Sequence, residues 1–199
     1  MLNKYINKNH IENEKILVKE FLKAKPFPHL IIKDFIKEDL ANKLSKELKE
    51  EKFTKQESDL FSFSQSNDLE KTNNKTLKEF YNLLNSKEFK EYLEKITNIK
   101  AYLKIDCSGF IYTNTDYLLP HDDRLETRKV AYVLNLSKDF IKEDGGSLDF
   151  FENNKIIKSI TPKFNTFTIF KVIENKTYHQ VSEVLRDKER LSIAGWFNN

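Results

Sequence analysis

From Ala101 onward the chain breaks into short apolar-alternating runs punctuated by turn residues, the spacing of strands and not of helices. The candidate strands are 102–112, 116–121, 129–136, 147–152, 155–160, 165–172, 177–184 and 190–197. Asn153-Asn154 suits a tight hairpin turn, and Gly145-Gly146 gives a flexible strand entry. A run of eight strands that follows a helical half predicts an α+β chain. Its architecture should be a double-stranded β-helix, the cupin-like jelly roll, buttressed by N-terminal helices. Such a barrel has a mouth lined by inward-pointing side chains, where a metal site can sit.

The first half has helical spacing. Residues 11–24 place Ile11, Leu17, Phe21 and Leu22 on one face, and Pro26 and Pro28 stop that helix. His29 to Phe35 reads as a short buried strand. Residues 38–51 carry Leu40, Leu44 and Leu48 in an i, i+4, i+8 stripe. Residues 54–75, rich in Ser, Asn, Gln and Lys, read as a surface loop. Ser86 can cap a helix whose inner face is Phe89, Tyr92, Leu93 and Ile96. At 199 residues the chain suits one full core, so we expect a helical extension over 1–25 and one domain over 26–199.

Within the strand-rich half lie His121-Asp122-Asp123, a distant His179 and then Arg190. On a strand, residues two apart point to the same side, so His121 and Asp123 should face one ligand together, with Asp122 turned away. Two imidazoles and one carboxylate can hold Fe(II) on one face and leave positions open for a co-substrate and O2. Arg190 offers a planar fork that grips a carboxylate by two hydrogen bonds. Zinc could occupy the same three ligands, but the His-Glu-x-x-His pattern of a hydrolytic zinc site is absent. The acids around Asp122 do not have the spacing of an EF-hand calcium loop. Only four of the 34 basic residues are arginine, namely Arg124, Arg128, Arg186 and Arg190, so a fork-shaped donor is sparingly used.

Composition narrows the class further. A net charge of +3 with acids and bases interspersed gives no footprint for direct nucleic-acid binding. The mixed run from Lys46 to Lys55 reads as a solvated helix face. Cys107 is the single cysteine, which rules out an internal disulfide and a multi-cysteine zinc site. No apolar stretch approaches membrane-spanning length, and the N-terminus lacks a signal-peptide core. The expectation is a cytoplasmic protein with no membrane partner.

The segment Leu118-Leu-Pro-His-Asp-Asp-Arg-Leu-Glu-Thr-Arg-Lys-Val-Ala-Tyr-Val-Leu-Asn-Leu136 resembles the core of the 2-oxoglutarate- and Fe(II)-dependent prolyl hydroxylases. Gly145 to Phe150, His179 to Leu185 and Arg190 to Phe197 narrow the resemblance. They are similar to the branch that hydroxylates a proline in a small-subunit ribosomal protein of the decoding centre. Pro26 to Phe35 resembles that branch's opening strand, so the likeness spans residues 26–199. Relatives of this branch in eukaryotes continue into a second, non-catalytic jelly roll, whereas this chain stops two residues after Phe197. A single-domain relative is therefore expected.

By position, the resemblance implies that His121, Asp123 and His179 bind iron and that Arg190 pairs with the distal carboxylate of 2-oxoglutarate. Tyr112 matches a tyrosine that hydrogen-bonds this co-substrate. Arg128 matches a basic position that either shapes the site or packs beside it, and Trp196 is a core or cavity-wall aromatic. The implied cofactors are Fe(II), 2-oxoglutarate, O2 and ascorbate. The implied partner is a protein substrate, a loop of a ribosomal protein or translation factor. Two other readings stay open on the residues alone: a 2-oxoglutarate oxygenase of another protein side chain or a free amino acid, and a metal-binding jelly-roll sensor without turnover.

Overall fold

The architecture comes from a computed structural model that describes residues 2–100 and 104–199. Its helices are α1 (Leu2–Tyr5), α2 (Lys8–Glu12), α3 (Glu14–Lys23), α4 (Glu38–Leu48), α5 (Lys75–Asn85) and α6 (Lys87–Thr97). Its strands in the first half are β1 (His29–Ile32), β2 (Phe53–Ser58) and β3 (Phe61–Asp68). Those of the second half are β4 (Lys104–Tyr112), β5 (Tyr117–His121), β6 (Arg128–Asn135), β7 (Leu148–Glu152), β8 (Lys155–Ile160), β9 (Thr166–Lys171), β10 (His179–Val181) and β11 (Arg190–Asn198). All eight strands expected after Ala101 are present; positions 102 and 103 of the first lie outside the described residues.

Local signals explain the element ends. Asn74 accepts from the backbone N–H groups of Thr76 and Leu77 at 3.0 and 3.1 Å and so starts α5. Ser86 does the same for Phe89 at 3.2 Å and starts α6, which ends at Asn98 in the left-handed region, φ 55°. Asn153 and Asn154 both have positive φ, 51° and 62°, as a two-residue hairpin between Glu152 and Lys155 demands.

The strands join into one curled antiparallel sheet in the order β1-β9-β6-β11-β4-β3-β5-β10-β7-β8, with β2 on the far side of β3. The bend lies at β3. One end of it pairs with β4 (Ser64 opposite Ile111) and the other with β5 (Phe61 opposite Leu118). The sheet thereby folds over itself as the jelly roll expected from the strand pattern. Asp116 locks the corner between β4 and β5. Its buried carboxylate accepts from Ser62 Oγ at 2.6 Å, from Thr113 N at 2.9 Å and from Lys55 Nζ.

Alternation along each strand divides core from cavity. On β11, Leu191, Ile193 and Phe197 join the helix-side core, while Arg190, Ser192, Ala194 and Trp196 line a cavity between the two halves. The helix-side core includes Phe21 of α3, Leu44 of α4, Phe80 of α5 and Phe89 of α6. Phe89 is fully buried with its ring 6.0 Å from that of Phe197. Burying a phenylalanine of this kind stabilises the fold by roughly 1.5–3 kcal/mol.

Three sequence expectations are corrected. Residues 54–75 are not a loop: they contain most of the β2–β3 hairpin and a single 3-10 turn over Leu69–Lys71. The helix expected over 11–24 is divided at Asn13 between α2 and α3, and Leu22 is exposed. The tenth strand, expected over 177–184, is only three residues long, and its ladder with β5 shifts between His179 and Val181.

Candidate metal centre and its cavity

β5 ends on His121 and β10 begins on His179, and the two residues face each other directly across the ladder. Their rings lie 4.2 Å apart. Each ring is oriented in the same way. Nδ1 of His121 lies 2.9 Å from the carbonyl of Leu119, and Nδ1 of His179 lies 2.8 Å from the carbonyl of Thr177. A carbonyl can only accept, so each Nδ1 carries a proton, and Nε2 is the atom of each ring left to donate to a carboxylate when protonated or to bind a metal when not.

Both Nε2 atoms face Asp123. Nε2 of His121 is 3.4 Å from Oδ1, and Nε2 of His179 is 3.3 Å from Oδ2. Asp123 reaches this position by a route other than strand alternation. The strand has already ended, and the residue adopts φ 57°, a left-handed conformation that aspartate tolerates better than most side chains. Burial pushes the Asp123 carboxyl upward, but the two imidazoles outweigh it and hold the group well below the usual carboxylate range. Burial lowers the pKa of His121, and Asp123 more than restores it.

The three donor atoms fit a metal ion. All lie within 4.8 Å of one another. Donors about 2.1 Å from a shared ion would be roughly 3.0–3.4 Å apart at right to tetrahedral angles, and each imidazole lies at that spacing from one of the two Asp123 oxygens, His121 from Oδ1 and His179 from Oδ2.

The cavity beside them measures about 380 Å³ and has mostly apolar walls, among them Phe61, Phe63, Phe110 and Leu118. Arg190 lines it from β11, opposite Tyr112 of β4 in the ladder, with its guanidinium carbon 5.0 Å from the centre of the tyrosine ring. Nε of Arg190 donates to the Gly146 carbonyl at 2.8 Å and Nη1 to Ser192 Oγ at 3.3 Å. Among the described residues no carboxylate pairs with this buried cation. Its remaining N–H groups are therefore available to an anion. Burial depresses its pKa, with Tyr112 opposing, yet a guanidinium stays charged. Gly146 has φ 64°, and a Cβ there would stand 3.2 Å from Arg190 Cδ, so the position favours glycine in both respects.

Arg128 lies on the metal-ligand side of the same cavity. Its Nη1 is 3.7 Å from Asp123 Oδ1, and its guanidinium carbon is 3.4 Å from the ring centre of Trp196. The structure thus brings together all six residues singled out from the sequence, and Trp196 forms cavity wall as expected. Gln65, Phe61 and Phe63 were missed because their segment reads as a loop by composition. The strict alternation Phe61-Ser-Phe63-Ser-Gln65-Ser66 was the available signal.

Comparison with known proteins agrees with this geometry. Residues 107–198 match the 2OG-Fe(II) oxygenase superfamily. The chain is 39% identical over 185 residues to the prolyl 3-hydroxylase OGFOD1 of Xenopus laevis, which covers 89% of this chain and 36% of that protein. It is 31% identical over 195 residues to the prolyl 3,4-dihydroxylase OGFOD1 of Ostreococcus tauri, covering 87% of this chain and 38% of that protein. The chain thus spans little more than a third of the length of these relatives. In fold it is similar to a prolyl-4-hydroxylase of Pseudomonas putida, with a TM-score of 0.75 at 17% identity over 92% of this chain and 99% of that one. A paired-histidine and aspartate site inside a jelly roll, together with this identity over most of this chain, means that residues 107–198 are a domain of the 2OG-Fe(II) oxygenase superfamily and that the chain is a homologue of the OGFOD1 prolyl hydroxylases.

Proposed function

We propose that this chain is a 2-oxoglutarate- and Fe(II)-dependent oxygenase that hydroxylates a prolyl residue of a protein, a small-subunit ribosomal protein being the first candidate. The observation that carries the reading is one cavity that holds both a three-donor metal site and a buried arginine that has no carboxylate partner among the described residues. A metal sensor has no use for that arginine. An oxygenase with a dicarboxylate co-substrate does.

His121, Asp123 and His179 would hold the iron, each imidazole fixed by its backbone carbonyl and the carboxylate kept ionised. Arg190, held in plane by Gly146 and Ser192, would take the distal carboxylate of 2-oxoglutarate, and Tyr112 would donate its hydroxyl beside it. The apolar walls from β3 and β4 exclude water from the reacting centre. Arg128 balances the charge of Asp123 and shapes the wall with Trp196. When bound, Fe(II) with 2-oxoglutarate and O2 supplies oxidative decarboxylation to succinate and CO2 coupled to oxygen insertion into a C–H bond. We assign the oxygenase domain to residues 26–199 with 1–25 as its helical extension, place the protein in the cytoplasm and include ascorbate as reductant. Direct nucleic-acid binding is not part of this function. No helix of the described residues is long and apolar enough to cross a membrane.

The test is turnover of 2-oxoglutarate with a proline-containing peptide from the decoding-centre loop, and with the intact ribosomal protein, each beside a proline-to-alanine control. Mass spectrometry should find one oxygen added at the proline, and fragment ions would separate the first hydroxylation from a second. Succinate formed without oxygen on either substrate would keep the oxygenase chemistry and refute the substrate.

A further inference from the structure

Asp122 lies between two metal ligands in sequence, yet its carboxylate turns away from them. Oδ1 accepts from the backbone N–H of Arg124 at 3.2 Å, and Oδ2 accepts from the backbone N–H of Asn175 at 2.8 Å. Asn175 belongs to the turn between β9 and β10, the segment that delivers His179. That turn is closed on itself: the N–H groups of Lys176 and Thr177 both donate to the Ile173 carbonyl, at 3.1 and 3.2 Å. The Thr177 carbonyl in turn orients the His179 ring at 2.8 Å. A short hydrogen-bonded path therefore runs from the residue before Asp123 to the imidazole of His179.

The path bears a load that the sheet does not. His121 and His179 are paired by the β5–β10 ladder, but Asp123 lies beyond the end of β5 in a left-handed conformation. The neighbouring Arg124–Glu174 pair, 3.5 Å apart with both side chains more than half exposed, ties the same two segments only weakly.

We propose that Asp122 is a positioning residue of the metal centre: it fastens the loop of Asp123 to the turn that presents His179 and so sets how tightly the three ligands retain their ion. The proposal rests on the reading of His121, Asp123 and His179 as metal ligands. Its test keeps the two apart.

The metal-stripped chain is titrated anaerobically with Mn(II) by calorimetry, and release of Co(II) to a chelator is followed by its visible spectrum. Wild type should take up one ion, and Asp123→Ala should lose it; unchanged binding in that variant refutes the ligand assignment itself. Asp122→Ala should still bind one ion but roughly ten- to a hundredfold more weakly, the usual cost of losing an outer hydrogen-bond partner of a metal ligand. Asp122→Asn removes the same charge and keeps one carbonyl oxygen, so its affinity should fall between Asp122→Ala and wild type. Arg124→Ala removes only the exposed ion pair and should stay within about twofold of wild type. Wild-type affinity in Asp122→Ala overturns the proposal. Equal weakening in Asp122→Ala and Asp122→Asn also overturns it, because charge alone would then account for the effect. If Asp122→Ala fails to fold, affinity and Co(II) release in Asp122→Asn decide: wild-type values overturn the proposal, and weakened binding with faster release supports it.

Discussion

Replacing Arg190 with lysine keeps the positive charge and removes the geometry on which the site depends. The guanidinium spends Nε on the Gly146 carbonyl and one Nη1 hydrogen on Ser192 Oγ, which fixes the plane and leaves a forked edge for a carboxylate. An ammonium has three donors at a single point. To meet both protein acceptors it would have one hydrogen left, so at least one charge-assisted bond to the co-substrate disappears. Such a bond is worth roughly 1.5–3 kcal/mol, or about ten- to a hundredfold in affinity. The assay is 2-oxoglutarate binding to the Mn(II)-loaded protein by anaerobic calorimetry, read beside the apparent KM, because KM equals Kd only when chemistry is slow. Both should rise together in Arg190→Lys while metal affinity stays constant. Wild-type binding in Arg190→Lys with impaired binding in Arg128→Lys would mean that the two arginines have exchanged the roles given to them here.

Alanine at His121, Asp123 or His179 should abolish tight metal binding with the far-UV circular dichroism of the fold retained; calorimetry that shows unchanged affinity in any of the three would reject the triad. Gly146→Ala forces a side chain into a left-handed backbone 3.2 Å from Arg190 Cδ, so 2-oxoglutarate affinity should fall and stability should drop by about 1 kcal/mol or more, measured by urea unfolding. Asp116→Asn should cost roughly 1.5–3 kcal/mol at pH 7, a fall in Tm of about 3–12 °C for a chain of this size. Burial raises the Asp116 carboxyl, but Lys55, Ser62 and Thr113 hold it below its ordinary value. Its stabilising contribution is therefore complete above the unfolded aspartate pKa of about 3.9 and is lost as pH falls through the lower folded value. Wild type should lose this increment on acidification and Asp116→Asn should not, and parallel pH profiles of Tm would contradict that account.

The sheet was legible where period and punctuation agreed. The eight strands after Ala101 follow from alternation, and the Ser86 cap and Asn153-Asn154 hairpin follow from residues with few other local uses. Two elements were hidden by composition. The serines and lysines of residues 54–75 disguised a hairpin whose Phe61 and Phe63 face the cavity, and the polar stretch drew attention from Leu77, Phe80, Tyr81 and Leu84, which are spaced for the buried face of α5. The ligand set was readable from residue types, but its convergence was not. His121 meets His179 through a long-range ladder, and Asp123 joins them through one left-handed residue, neither of which spacing alone can specify.

The alternation on β11 also separates two kinds of evolutionary freedom. Leu191, Ile193 and Phe197 hold the helices to the sheet, while Ala194, reached from the other side of the same backbone, helps set the contour of the space where a substrate would lie. A lineage can therefore drift at one set of positions and alter what is admitted without loosening what holds the strand in place. The exception is Gly195, where any Cβ would stand 1.8 Å from the Asp106 carbonyl oxygen. That position leaves no latitude on either face, and it is the point at which selectivity and foldability cannot be tuned apart.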